Sequence, residues 1–359
     1  MKGFVIVSKG LEDIAKLEIK ELIGATATPA EGYCDFDLKD EKELCVLAYR
    51  GQSFDRVLLF LSRFKLSSGF ENVKDIDFSH YLKDKTFRVS SAKVGCELPS
   101  EEINSSVGKY IEGKVDLSNP DVIVFAYVVN DECLIGIDFS GIEQQKRSYK
   151  LFGHTSSLRG TIAYGLVRLS GYKSNESLID PFCKSGVIPI EAALYALDYP
   201  INYYNKEKMA FAKLVNHKFK DSIKDKKLSI YGYASEWLDL NNSKKNAKIA
   251  GVNKYINFSK VDIEWVEIKF EDDSVDKMVT RLPEAGKASN PKQIEKAYRE
   301  FLHMAEFVLK GKAVVCSRNL SMFKAIVKEF KFKILEEREI WAGKDELDVM
   351  IFSRSISKD

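Results

Sequence analysis

The sequence predicts an α/β protein whose C-terminal half is a mostly parallel sheet, preceded by smaller α+β units. Three observations carry this. A short apolar run, Ser177-Leu178-Ile179-Asp180, ends in an aspartate, crosses a small-residue turn and enters a run with helical spacing at Val187. Extended and helical patterns then alternate as far as Phe330. The chain closes on two extended runs, 332–341 and 347–353, joined around Gly343-Lys344-Asp345. A closing hairpin after such alternation marks an antiparallel edge on a parallel sheet.

In chain order, Phe4-Val5-Ile6-Val7 reads as a strand, and Gly10 opens a helix with Leu11, Ile14 and Leu17 on one face. Residues 25–50 read as hairpin material, and 54–64 as an apolar run with helical spacing. A second α+β unit begins near Tyr81, with a strand at 86–90, a helix at 100–110 opened by Ser100, and two strands at 122–129 and 133–139. Helix 160–169 leads into the strand at 177–180. Further strands are expected at 228–233, 258–262, 278–280 and 313–316, which with the closing pair makes seven. Helices are expected from Val187 and at 239–250, 292–309 and 321–330; Gly251 stops the second of these four.

With 359 residues, 45% apolar and 30% charged, the chain suits two or three domains. No apolar segment is long enough to cross a bilayer and no secretory signal is visible, so a cytoplasmic protein without a membrane partner is expected. The six cysteines form no C-x-x-C pair, and no metal site is expected. Net charge is only +2, but it is uneven: residues 1–150 carry 20 Lys/Arg against 25 Asp/Glu, and the remainder 35 against 28. A polyanion would therefore be met on local patches, mainly of the second half.

The strand-to-helix turn at 180–187 is the leading candidate site, because open α/β sheets bind ligands at the carboxyl ends of their strands. Ser185 is placed to cap the helix that follows. The stretch Gln144-Gln145-Lys146-Arg147-Ser148-Tyr149-Lys150 mixes amides, cations and an aromatic, a blend that suits RNA phosphates and bases and equally suits an interdomain linker. The lysine-rich insertion at 202–227 reads either as an RNA guide or as solvated surface.

These landmarks together resemble the RNA methyltransferases that carry a THUMP domain before a Rossmann-like catalytic domain, the group that makes N2-methylguanosine in tRNA. Residues 1–65, with Gly10-Leu11-Glu12 and Ile14-Ala15, look like the family's N-terminal ferredoxin-like domain. Residues 66–150 look like THUMP, most clearly at 115–121 and 136–141. Residues 151–175 form a linker and leading helix, and 176–359 look like the methyltransferase. Asp180-Pro181-Phe182-Cys183 stands where the family writes D-P-F-C-G-S-G-T. Ile190-Glu191-Ala192-Ala193 continues that motif, and 246–251 supplies a second landmark.

The resemblance implies S-adenosylmethionine as cofactor, held by Asp180, Phe182, Ser185 and Gly186. Glu236 would reach the ribose in place of the usual acid, where Ala234 stands, and Asp262 would sit beside the adenine amine. Lys184 replaces a family glycine, and Val187 a hydroxyl-bearing residue. The family's N/D-P-P-Y/F motif maps onto Arg281, Leu282, Pro283 and Glu284. Arginine has no acceptor to replace the motif's first side chain, so Glu284, Pro283 and Arg281 are the catalytic candidates in an altered geometry. Lys93, Lys146, Arg147 and Lys150 are the expected RNA contacts, with the tRNA acceptor region as target. The alternative is an inactive or divergent paralogue that binds tRNA, alone or as partner of an active methyltransferase. A dinucleotide-dependent oxidoreductase is disfavoured by the absence of G-x-G-x-x-G.

Overall fold

The computed structural model describes residues 1–284, 290–343 and 345–355. The chain divides into two compact units, Met1–Gln144 with Pro200–Asp221, and Gln145–Tyr199 with Ser222–Asp359.

The first unit runs β1 (Lys2–Val7), α1 (Glu12–Ile23), β2 (Ala27–Ala30), β3 (Tyr33–Asp37), α2 (Lys42–Arg50), β4 (Phe54–Lys65), α3 (Ser79–Leu82), β5 (Thr86–Val94), α4 (Ser100–Gly108), β6 (Lys114–Val115), β7 (Val122–Val129) and β8 (Glu132–Asp138). Its strands form one sheet in the order β2-β3-β1-β4-β8-β7-β5-β6. The boundary drawn at residue 65 therefore falls within a continuous sheet, since β4 pairs with β1 on one side and β8 on the other.

Two expectations are corrected here. Residues 54–65 form a strand, not a helix. Val57, Leu58 and Leu59 are all buried, so an interior strand covered on both faces loses the alternation that marks strands in sequence. Residues 42–50 form a helix rather than the second part of a hairpin, with Leu44, Leu47 and Ala48 on its buried side.

The second unit opens with α5 (Gly160–Leu169), β9 (Ser177–Asp180) and α6 (Val187–Ala196). The chain then contributes residues 200–221 to the first unit, including α7 (Phe211–Leu214). A simple solvated surface does not describe this segment. Met209 and Phe211 are buried in the first unit's core. The Asn202 amide donates to the Ala48 carbonyl and to Gln144 Oε1 at 2.9 and 3.0 Å, and the Phe219 ring lies 4.1 Å from that of Tyr49.

The second unit resumes with β10 (Ser229–Ala234), α8 (Trp237–Ile249), β11 (Ile256–Lys260), β12 (Val275–Arg281), α9 (Pro291–Val308), β13 (Leu309–Ser317), α10 (Ser321–Ile326), β14 (Phe332–Ala342) and β15 (Asp345–Arg354). The strand order is β11-β10-β9-β12-β13-β15-β14, parallel from β11 to β13, with β15 antiparallel to both neighbours. Helix α9 shows how sequence builds this layer. Asn290 caps it through the Lys292 N–H at 3.0 Å, Pro291 occupies its first turn, and Tyr298, Phe301, Leu302, Ala305 and Val308 form its buried face. No helix among the described residues is long and apolar enough to cross a membrane.

Candidate active site at the switch point of the second sheet

From β9 the chain winds outward through β10 and β11, then returns to place β12 on the other side of β9. Neighbouring connections leave β9 and β12 in opposite directions, opening a crevice at their carboxyl ends. Asp180 ends one strand and Arg281 the other. Between them lies a hollow of about 20 Å³ lined by Asp180, Phe182, Lys184, Ser185 and Arg281, with Ser156 and Ser157 from the loop before α5.

Asp180 is 2% exposed. Its Oδ1 accepts from Thr280 Oγ1 at 2.6 Å and from the Phe182 N–H at 3.2 Å. Burial pushes the carboxyl up to about 7, against those two hydrogen bonds and the Lys184 ammonium, which favour the anion. The same burial holds the Cys183 thiol far above its ordinary value, so this cysteine is protonated and not a nucleophile.

The turn is held from beneath by α8. Ser243 Oγ donates to the Lys184 carbonyl at 2.8 Å, and Asn246 Nδ2 donates to those of Ser185 and Phe152 at 3.0 and 2.8 Å. The Asn246 Oδ1 takes the Phe152 N–H at 3.1 Å, so one fully buried amide ties the turn to the loop above it. Gly186 is required at φ +76°: an added Cβ would lie 2.9 Å from that of Ser243 and 3.1 Å from the Phe258 ring. Lys184 holds φ +47°, a left-handed conformation that lysine adopts at a cost.

Ser185 does not cap α6. The N-cap position belongs to Gly186, and Ser185 Oγ instead meets Ser157 Oγ at 2.5 Å. Phe182 lines the hollow and packs toward Phe301, ring centroids 6.0 Å apart. Glu236 and Asp262 stand exposed beyond β10 and β11, further along the same edge and outside the lining of the hollow.

At the end of β12, Arg281 Nε and one terminal nitrogen donate to Glu284 Oε1 at 3.1 and 2.7 Å. The Arg318 N–H donates to the same oxygen at 3.1 Å; among the described residues Oε2 has only the Arg318 guanidinium, at 3.9 Å. Tyr298 does not supply a stacking ring: it is buried against Phe323, and its O–H donates to the Pro283 carbonyl at 2.8 Å. Residues 285–289, which complete the stretch read as the degenerate motif, lie outside the described residues.

Among the expected RNA contacts, Arg147 is corrected. Its side chain is 1% exposed and grips Glu191 of α6, whose Oε1 also accepts from the Tyr149 hydroxyl at 2.6 Å. A helix buried on all sides needs a partner for its one carboxylate, and Arg147 is that partner. Lys146 is exposed. Lys150 donates to the Leu158 carbonyl at 2.7 Å, and burial with the nearby Arg159 and Arg281 charges lowers its basicity. Lys93 lies in the first unit, its ammonium on the Glu97 and Leu98 carbonyls.

Sequence reasoning missed Thr280, Ser157 and His154. The first was hidden beside the more conspicuous Arg281, and the other two in a loop without periodicity. His154 Nδ1 meets the Ser156 hydroxyl at 2.8 Å. Burial pushes its imidazole below the ordinary value, with Lys184 and Arg281 acting in the same direction and Asp239 against it.

Comparison with known proteins agrees with this geometry. Residues 147–346 match the family described as UPF0020: RMKL-like, methyltransferase domain, and residues 70–138 match the THUMP domain. The chain is 30% identical to a tRNA (guanine(6)-N2)-methyltransferase of Methanocaldococcus jannaschii, over 96% of this chain and 97% of that one. Among solved structures, a possible methylase from Clostridium difficile 630 superposes with a TM-score of 0.79 at 21% identity, covering 98% of each chain. SMU.472, a putative methyltransferase complexed with SAH, also gives 0.79, at 17% identity and 98% coverage of each. A THUMP segment, a sheet with its switch point between β9 and β12, and near full-length similarity to a curated relative converge on one assignment: the chain belongs to the THUMP-bearing, RMKL-like methyltransferase family.

Proposed function

We propose that the protein is an S-adenosylmethionine-dependent tRNA methyltransferase that modifies the exocyclic amine of a guanine. The observation that carries this is the near full-length similarity to a relative of that activity, joined to a buried aspartate at the switch point. The nucleotide at position 6, given in the relative's name, is the first to examine.

The donor set fits the cofactor. Asp180 suits the methionine ammonium. The exposed carboxylates of Glu236 and Asp262 suit the ribose hydroxyls and the adenine amine, two donor groups matched by acceptors. The left-handed Gly186 lets the backbone pass close without a Cβ. Bound there, the cofactor supplies an electrophilic methyl group.

The protein's part is to orient the amine and relieve it of a proton. Glu284 Oε2 is the acceptor offered to the guanine amine, held in place by the hydrogen bonds that Arg281 and Arg318 make to Oε1. Lys93, Lys146 and Lys150 serve RNA phosphates, with the acceptor region as the segment gripped and residues 1–65 as a ferredoxin-like support.

A second reading rests on the Tyr298 hydroxyl, which already occupies the Pro283 carbonyl. A domain whose proline acceptor is taken would bind tRNA without methylating it. Incubation of the full chain with unmodified tRNA and methyl-labelled cofactor, followed by nucleoside mass spectrometry, separates the two. N2-methylguanosine that disappears in Asp180→Ala supports the enzyme. Cofactor binding without any methylated nucleoside sinks methyl transfer and leaves the RNA-binding role.

A further inference from the structure

The charges around the hollow do not cancel. Arg281 is neutralised by Glu284 at 2.7 Å, and Lys150 is turned onto the Leu158 carbonyl. The Lys184 side chain makes no hydrogen bond or ion pair among the described residues, although it lines the hollow. Its amine carries a charge with no ion-pair partner among the described residues, at the position where the family has glycine, and it favours the anionic form of the Asp180 carboxyl. Asp180, which also lines the hollow, is 2% exposed, with Oδ1 already taken by the Thr280 hydroxyl. Asp239 is buried on α8 and its charge acts on His154.

We infer that Lys184 makes this site favour the neutral thioether form of the cofactor, the demethylated product, over the sulfonium donor. The inference rests on the cofactor reading above. The two ligands share the adenosyl group, the ammonium and the carboxylate, so every contact to those groups cancels in the comparison. They differ in one methyl group and one positive charge at sulfur. An ammonium carried by a residue that lines the same hollow repels that charge and leaves the product untouched. Its carboxylate attraction is common to both ligands. Such a site retains its product, and turnover then depends on the product being removed by a reaction that cleaves the thioether or its glycosidic bond.

The test measures Kd for S-adenosylmethionine and S-adenosylhomocysteine by calorimetry, on the full chain and on two variants. Lys184→Gln keeps a polar, unbranched side chain without the charge, and Lys184→Gly also relieves the left-handed backbone. In both, the ratio of donor Kd to product Kd should fall by about tenfold at low salt, the effect of one half-exposed charge near the ligand. The wild-type ratio should itself fall as salt rises, since a lysine only partly buried is screened. A ratio that stays constant across the three proteins, with both affinities moving together, overturns the inference and leaves the cofactor reading intact. Failure of either ligand to bind any of the three overturns both.

Discussion

Arg147 and Glu191 meet in the second unit as a two-pronged ion pair, Nε to Oε1 at 2.8 Å and a terminal nitrogen to Oε2 at 3.0 Å, with side chains 1% and 0% exposed. Gly160 makes room for it, since a Cβ there would lie 2.3 Å from the arginine Nε. Removing one partner strands the other charge in an apolar site. Arg147→Ala should therefore destabilise the second unit by about 3 kcal/mol or more, read as a lowered urea midpoint. Its tRNA affinity, compared at temperatures where both proteins are folded, should keep the wild-type dependence on salt.

Asp180 links stability to pH with a sign opposite to that of most carboxylates. Its folded value near 7 lies above the unfolded one of about 3.9, so the folded state holds the proton more tightly. Stability is then lost as pH rises between those values and is level above about 7. Asp180→Asn keeps an acceptor for Thr280 and carries no charge. Its advantage over wild type should grow from little near pH 4 to about 4 kcal/mol at pH 8, measured by urea unfolding at each pH. An advantage that shrinks with rising pH would refute the buried-acid account.

The turn after β9 should respond in opposite ways at two neighbouring positions. Gly186→Ala forces a Cβ against Ser243 and Phe258 at φ +76° and should cost about 2 kcal/mol. Lys184→Gly releases a strained backbone at φ +47° and should gain about 1 kcal/mol. Thermal melts of the two variants check both signs.

For RNA, the exposed Lys146 is expected to matter more than the half-buried Lys150 and Lys93. Lys146→Ala should weaken tRNA binding uniformly and reduce the slope of log K against log salt by up to about 0.9. Filter binding across a salt series measures it. A triple variant with an unchanged slope removes these three lysines from the interface.

Tyr298→Phe removes the donor from the Pro283 carbonyl at the end of β12. A loss of about 1 kcal/mol in stability is expected. If the free carbonyl then joins Glu284 as an acceptor for the amine, kcat should rise while the cofactor Kd holds steady.

The parallel sheet and its closing hairpin were legible because periodicity and turn chemistry agree along 177–353: Asn290-Pro291 starts a helix and Gly251 follows one, as propensity demands. The site at Asp180 was legible for the same reason, a strand ending in an acid before a tight turn. What escaped was whatever depends on burial from afar. Val57-Leu58-Leu59 reads as helix until both neighbouring strands are known. Arg147 looks like an RNA contact until Glu191, 44 residues later, is found beneath it. Ser157 sits in a loop that Asn246 pins at Phe152, a long-range bond that no local pattern records.

The loan of residues 200–221 to the first unit means that the chain passes between the two bodies three times, at 144–145, 199–200 and 221–222. A protease that nicks any single one of these junctions divides at least one unit between two fragments, so the fragments should co-elute under native conditions. A fragment beginning at residue 145 would carry Met209 and Phe211 without the core that shelters them. The catalytic half is thus poorly suited to life as an independent polypeptide.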